Sequence, residues 1–417
     1  MATATHKNTP NLRFPEFNGD WELKKLGDIG INIIDGDRGT NYPNGNDFSN
    51  EGYCLFMNAK NVTKNGFSFI EKSFITKLKD EKLRKGKLQR FDIVLTTRGS
   101  VGHISYYDMT VPFEHLRINS GMVLIRTNGV TINSNYLYKY FNANEIQKEI
   151  SKISFGSAQP QLTVGEISKF KVNFPTLPEQ QKIATFLTAV DEKLQALKQK
   201  KNLLEQYKKG VMQQLFSQEL RFKDDNGNAF SDWEEKKLGD LTFKVDKKNK
   251  ENIKYPIYSI NNKEGFLPQS DQFEGMDSND RGYDISIYKV IESNTFAYNP
   301  ARINVGSIGF SGELSKIIIS SLYVCFKTID SLEDGYLLHY LNTKDFNNSV
   351  NTLQEGGVRS YLFYDSFSKI TIPLPSNKEQ LKIVNFLSSI DEKINQCEAQ
   401  IVNTEVWKKG LLQKMFV

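Results

Sequence analysis

Two short segments place carboxylates and lysines close together, DWELK at 20–24 and DWEEK at 232–236, and superficially suggest metal-dependent hydrolysis. A metal site usually draws its carboxylates from separated strands, whereas here each Asp lies almost beside its Glu. Both segments also open a repeat, where a structural role fits better. Other catalytic signatures are missing from the sequence. There is no G-x-x-x-x-G-K-[ST] loop to cradle a triphosphate. Asn299–Pro300 is followed by Ala301, not by the second proline and aromatic residue with which amino-methyltransferases grip an extruded base, and no glycine-rich loop for S-adenosylmethionine precedes it. His6, His103, His115 and His339 have no ligand spacing, and Cys54, Cys325 and Cys397 are too scattered for zinc or a disulfide framework. The residues read as a binding protein with no catalytic, metal or cofactor site of its own.

Chemistry suited to nucleic acid is easier to find. Lysines and arginines in KLRKGKLQR (82–90) and KVDKKNK (244–250) could neutralise phosphates, and Arg84, Lys85, Lys87, Lys247 and Lys248 are the candidates. For any single lysine the competing reading is a solvated face. Two loops align between the halves of the chain. TTRGSVG (96–102) lies against PARINVG (300–306) at an offset of 204, pairing Arg98 with Arg302 and setting Ser100 and Asn304 beside them. FGSAQPQL (155–162) lies against EGGVRSYL (355–362) at an offset of 200, so that Gln159 faces Arg359 and Gln161 faces Tyr361. Arginine suits guanine edges and phosphates, glutamine suits adenine, and tyrosine can stack or bind phosphate. The competing roles are a buried ion pair for the arginines and loop packing for Gln161. As a hypothesis, Gln159 reads an adenine in one half-site and Arg359 a guanine in the other.

The elements that must position these loops repeat too. Thr176–Phe216 recurs as Ser376–Phe416 in nearly perfect register, 200 residues on. Thr176 with Glu179, and Ser376 with Glu379, have capping-box spacing. The apolar positions Ile183, Leu187, Val190, Leu194, Leu197, Leu204, Val211 and Leu215 match Ile383, Leu387, Ile390, Ile394, Cys397, Ile401, Leu411 and Met415 in forming a heptad seam. Lys201, Lys208, Thr404 and Lys408 interrupt it, so the C-terminal half of each helix is expected to pack less well. The two helices are expected to pack on each other, each about 52–60 Å long. Phe186, Phe386, Tyr207 and Trp407 are candidates for docking partner subunits or for packing on the bodies. FNGDWELKKLGDI (17–29) returns as FSDWEEKKLGDL (230–241) at an offset of 212, so the repeat spans the whole chain.

The expected organisation is an arm without structure over 1–11, a first body over 12–175, a long helix over 176–216, a second body over 217–375 and a second long helix over 376–417. The fold class is mixed α/β with internal pseudo-two-fold repetition. Strands are predicted at 67–75, 91–97, 103–107 and 121–126 with a helix at 133–152 in the first body. In the second, strands are predicted at 295–298, 306–310 and 316–326 with a helix at 334–346. A chain of 417 residues with 39% hydrophobic and 12% aromatic residues can build several cores. It holds no run of 18 apolar residues and no signal-peptide region at its start, so a cytoplasmic protein without membrane association is expected. A net charge of +5 permits nucleic acid without demanding it.

Two half-related bodies, a WExxKLGD opening and the helix leads PTLPEQQKIATFL and PLPSNKEQLKIVNFL together resemble the specificity subunit of type I restriction–modification systems, over about residues 12–417. The resemblance implies that each body is a target-recognition domain reading one half of a bipartite site in double-stranded DNA. It implies an antiparallel coiled coil that docks two methyltransferase subunits and, through them, two restriction (motor–nuclease) subunits. S-adenosylmethionine, ATP and Mg would belong to those partners. An acidic inhibitor that mimics DNA is a further candidate for the same basic surface. The alternative is a coiled-coil scaffold whose two bodies bind protein, which steep salt dependence of DNA binding would distinguish.

Overall fold

The computed structural model describes residues 9–127, 131–154, 161–262, 264–272, 275, 277–355 and 360–416. The chain divides into two units, Met1–Lys198 with Ala399–Val417, and Gln199–Glu398. Each unit is built from the same parts.

In the first unit the DWELK segment forms strand Glu22–Lys25, which pairs antiparallel with Lys171–Phe174, the last strand before the long helix. Buried Trp21 and Leu26 flank it and anchor the clasp in the core. The same clasp joins Glu234–Lys237 to Thr371–Leu374 in the second unit. This is the structural role expected for the repeated opening.

Between the clasps of the first unit lies a four-stranded antiparallel sheet in the order Asn32–Asp35, Met122–Arg126, Ile93–Thr96, Ile104–Tyr106. A smaller sheet orders Phe74–Ile75, Cys54–Met57 and Leu116–Ile118, the last two parallel. Ile93–Thr96 and Cys54–Met57 are buried throughout, which is why they read as continuous apolar runs without alternation. The second unit repeats the first sheet with Thr242–Val245, Val324–Thr328, Phe296–Tyr298 and Ile308–Phe310. It adds a four-stranded sheet of Gly265–Pro268, Ile257–Asn261, Ile317–Ile319 and Lys289–Ile291.

Four expected elements divide. The run at 67–75 is two short strands, Gly66–Phe67 and Phe74–Ile75, because the buried Asn61 amide captures the Ser68 and Glu71 carbonyls at 3.0 and 2.8 Å. The run at 316–326 splits at a turn carrying exposed Leu322 into strands of two different sheets. Each body helix is a pair: Ser134–Phe141 and Asn144–Ser154, then Asp334–Tyr340 and Lys344–Leu353. In the first pair the break falls at Asn142, whose side-chain amide donates to the Tyr138 carbonyl at 2.8 Å.

The repeated helices are Leu177–Phe216 and Asn377–Lys414. Inside the first unit the segments run antiparallel. Asp191 meets Lys408 at 2.7 Å, Lys198 meets Glu405 at 2.6 Å, and Ile183, Leu187 and Val190 share a core with Leu411, Met415 and Phe416. Inside the second, Lys208 meets Asp391 at 2.6 Å, Lys201 pairs with Glu398, and Val211 and Leu215 share a core with Ile383, Leu387 and Ile390. The interrupting lysines are thus neutralised across the seam, and Thr404 is buried with its hydroxyl on the Gln400 carbonyl. The loosest stretch is the middle of the central helix, where Leu194, Leu197 and Leu204 are half-buried, and not its C-terminal half, since Val211 and Leu215 are covered by the body. Glu179 and Glu379 are buried and clamp Arg13 and Arg221 in place of closing a capping box.

Candidate nucleic-acid interface

Arg98 leaves the end of strand Ile93–Thr96 in a turn whose glycines Gly99 and Gly102 have φ of +71° and +89°. Its backbone N–H donates to the Gly121 carbonyl, and the neighbouring Thr97 carbonyl accepts from Leu162. The exposed guanidinium donates to Gln161 Oε1 at 3.1 Å. Two candidates far apart in sequence therefore meet on one surface, and Arg98 is not the buried acid-paired arginine of the competing reading. Ser100 is exposed on the same turn, its carbonyl accepting from the Thr96 hydroxyl.

Around this turn gather loops with further arginines. Gly36 lies so close to the Asn119 carbonyl that a Cβ there would sit 2.1 Å from the oxygen, so only glycine permits the approach. Beside it, exposed Arg38 pairs with Asp35 at 3.0 Å and donates to the Ser120 carbonyl at 3.3 Å. Buried Asp37 accepts the backbone N–H groups of Gly39, Arg84 and Lys85 at 2.8, 2.6 and 3.3 Å. Burial opposes its charge, but those three donors prevail and hold the carboxyl below the usual range. That carboxylate fixes the loop bearing exposed Arg84 and Lys85. Lys87 is engaged differently, being paired with buried Asp80, which also accepts from Arg117 Nε at 2.8 Å. The two cations outweigh burial and keep Asp80 ionised, so the charge of Lys87 serves the interior.

The second unit offers a different set on the same frame. Exposed Arg302 and Asn304 lie in a turn that ends at Gly306, φ +87°. The sheet ladder does not keep Arg98 and Arg302 equivalent. Val94 pairs with Leu124 and Ser105, and on the same face of the second sheet Ala297 pairs with Cys325 and Gly309, so the second turn is one residue longer (309 − 297 against 105 − 94). A constant offset of 204 passes over that difference. Tyr361 stacks on Phe363 at 5.8 Å and bridges Glu355, half-buried. Lys247 pairs with Glu292 at 2.8 Å, and Lys248 is exposed beside it. Gln159 and Arg359, on which the base-reading hypothesis rested, lie outside the described residues.

Arg38 and Asp37 escaped the sequence reading. Their only signal was the glycine-flanked stretch GDRGT (36–40) after a short run, Asn32–Asp35, that had not been recognised as a strand. Among the candidate docking aromatics, Phe186 packs edge-on against Phe14 at 5.6 Å and Trp407 at 6.0 Å, and Phe386 against Phe222 at 5.6 Å. Tyr207 and Trp407 remain about half exposed, at 54% and 47%. No group of three or more His, Cys, Asp or Glu side chains is placed to hold a metal among the described residues, and no helix among them is long and apolar enough to cross a membrane.

Together these features define a duplicated α/β binding protein with exposed, differently furnished loops on two copies of one scaffold. The profile of the Type I restriction modification DNA specificity domain matches twice, over residues 18–206 and 230–404, and the chain belongs to that family. It is a non-catalytic, DNA-recognising specificity subunit of the type I restriction–modification class. Relatives include the putative type I restriction enzyme MjaX specificity subunit of Methanocaldococcus jannaschii, 24% identical over 97% of this chain and 95% of that one. The HindI specificity subunit of Haemophilus influenzae is 25% identical over 47% of this chain and 41% of its own. The fold is shared with the S subunit from M. genitalium, with a TM-score of 0.59, 15% identity and coverage of 98% and 99% of the two chains.

Proposed function

We propose that this chain reads a bipartite DNA site, one half with each body, and docks two methyltransferase subunits through its helices, with restriction subunits joining through them. The carrying observation is that one ladder is used twice while its exposed tips differ: Arg98 held by Gln161 in the first unit, a longer turn with Arg302 and a stacked Tyr361–Phe363 pair in the second. Arginine and glutamine present side-chain donors suited to base edges, and the flanking basic loops suit phosphate. The half-exposed Tyr207 and Trp407 suit partner docking. S-adenosylmethionine, ATP and Mg enter with the partners, which supply methyl transfer and translocation.

The test is to co-express the chain with its neighbouring methyltransferase subunit and map adenine methylation across the genome. A bipartite motif with a fixed unspecified gap, lost when this chain is deleted, is expected. A stable complex and an active methyltransferase without any motif would overturn the reading in favour of a protein scaffold.

A further inference from the structure

One segment is placed identically in the two units. Leu162 donates its N–H to the Thr97 carbonyl at 3.0 Å, and Leu362 donates to the Pro300 carbonyl at 2.9 Å. Each bond hooks the segment to chain that has just left a strand, Ile93–Thr96 in the first unit and Phe296–Tyr298 in the second. Thr163 and Phe363 come next and hold the same N-cap position of a short helix, with φ of −84° and −79°. Thr163 is the residue type that position favours. Its hydroxyl accepts from the Glu166 N–H, and the Glu166 carboxylate accepts from the Thr163 N–H at 2.7 Å. Phe363 makes no side-chain cap.

Nor does Phe363 serve the core. It is 57% exposed, and its ring contact among the described residues is with Tyr361, parallel to within 5° at 5.8 Å. An exposed aromatic in place of a capping hydroxyl weakens the helix start and buries little in return. The turn to which the segment is hooked carries exposed Arg302 and Asn304, with Val305 56% exposed after them. An apolar ring beside a cation suits a partner that is anionic yet presents an apolar group. The first body has Gln161 and Thr163 at the corresponding places, both polar.

We propose that Phe363 is a base-specificity residue of the second body, its ring packing on the C5-methyl group of a thymine in the major groove. The assignment rests on the DNA-recognition reading above, with one half-site taken by each body. The thymine methyl is the apolar group that base edges present in that groove. A ring inserted between base pairs as a wedge needs both faces free to stack, and Tyr361 lies parallel against one of them. Contact with a methyl leaves that stack intact. With Gln161 and Thr163 in place of the two rings, the first body makes no equivalent contact.

The test uses the full chain in complex with its methyltransferase subunit and duplexes carrying the mapped motif. Each thymine of both half-sites is replaced singly by deoxyuridine, which lacks only the methyl. One replacement, in one half-site, is expected to weaken wild-type binding about fourfold, the effect of one buried methyl. Phe363→Thr gives the helix the cap used in the first unit, so the variant should fold and co-purify with the methyltransferase. At that position it should bind the thymine and uracil duplexes equally, while any other uracil penalties of the wild type remain. A penalty that persists in the variant overturns the assignment; if both duplexes also bind it less tightly, the ring acts on DNA shape. The absence of any uracil penalty in the wild type overturns it as well, as does loss of the methyltransferase from the variant, which would place the ring in that interface. A wild-type complex that binds DNA without sequence preference would instead sink the DNA reading on which the proposal rests.

Discussion

Glu379 shows how much one side chain can organise. Its buried carboxylate accepts from Arg221 Nη2 at 2.8 Å, Arg221 Nε at 3.1 Å and Trp233 Nε1 at 2.9 Å, and so ties the second body's opening segment to the C-terminal helix. Glu179 binds Arg13 in the same manner in the first unit. Removing one partner of a buried pair leaves the other uncompensated. Arg221 is partly solvated, so Glu379→Ala should cost about 2–3 kcal/mol, short of the loss expected for a fully buried pair. Urea denaturation followed by Trp fluorescence would measure it, and the apolar double variant Glu379→Leu/Arg221→Leu should recover part of the loss. These clamps were not legible beforehand. The spacing of Thr176 and Glu179 suggested a capping box, but the carboxylate finds an arginine 166 residues away that no local pattern announces. Lys87 likewise read as a surface cation because Asp80, its buried partner, looks in sequence like any acid of an exposed helix.

At the scale of elements, the helices were the most legible, since a 3.5-residue apolar period survives any tertiary context. Ile93–Thr96, buried on both faces, was legible as an apolar run, whereas the equally buried Cys54–Met57 and Leu116–Ile118 were not recognised. The loops that carry the candidate site were not, because their neighbours are set by ladder register, and a one-residue difference in one turn shifted the apparent partner of Arg98. The repeat also hides an exchange between body and helix. Lys139, 6% exposed, pairs with Asp191 at 2.5 Å in the first unit, whereas the residue 200 positions later is His339, equally buried and close to Lys208 and Asp391. Burial, with help from Lys208 and against Asp391, lowers the His339 imidazole to about 4. Its unfolded value is near 6.5, so the unfolded chain binds the proton first. The stabilisation is complete above about pH 6.5 and is lost as the pH falls towards 4, at most about 3 kcal/mol. Comparing denaturation midpoints at several pH values in this window, wild type should lose stability more steeply on acidification than His339→Leu. Parallel profiles would contradict the neutral buried imidazole.

The first unit is completed by a segment from the far end of the chain, while the second, Gln199–Glu398, is continuous and begins with the end of the central helix. The first unit needs 399–416, from which Leu411, Met415 and Phe416 cover Ile183, Leu187 and Val190 and Lys408 reaches Asp191. Its own half already contains the counterpart, with Val211, Leu215, Phe216 and Lys208 standing 200 residues earlier in the repeat. In a chain ending at residue 218, the 199–216 segment of one copy can therefore occupy on a second copy the place that 399–416 holds now. The arrangement is mutual, so it closes as a two-fold dimer. Lys408–Asp191 becomes Lys208–Asp191, and Glu205 takes the place of Glu405 against Lys198. One surface pair is lost, since Lys201 would face Lys198 in place of Glu398, and exposed pairs contribute at most about 1 kcal/mol. Light scattering should return twice the mass of the truncated chain, and Leu187→Asp should abolish the dimer by burying a charge in the shared core. If each body reads one half-site, the dimer with its methyltransferase should methylate a palindrome of the first half-site. A folded monomer at micromolar concentration would mean that the differences between the two helix copies, Val211 for Leu411 and Leu215 for Met415, specify pairing more tightly than their similar volumes suggest.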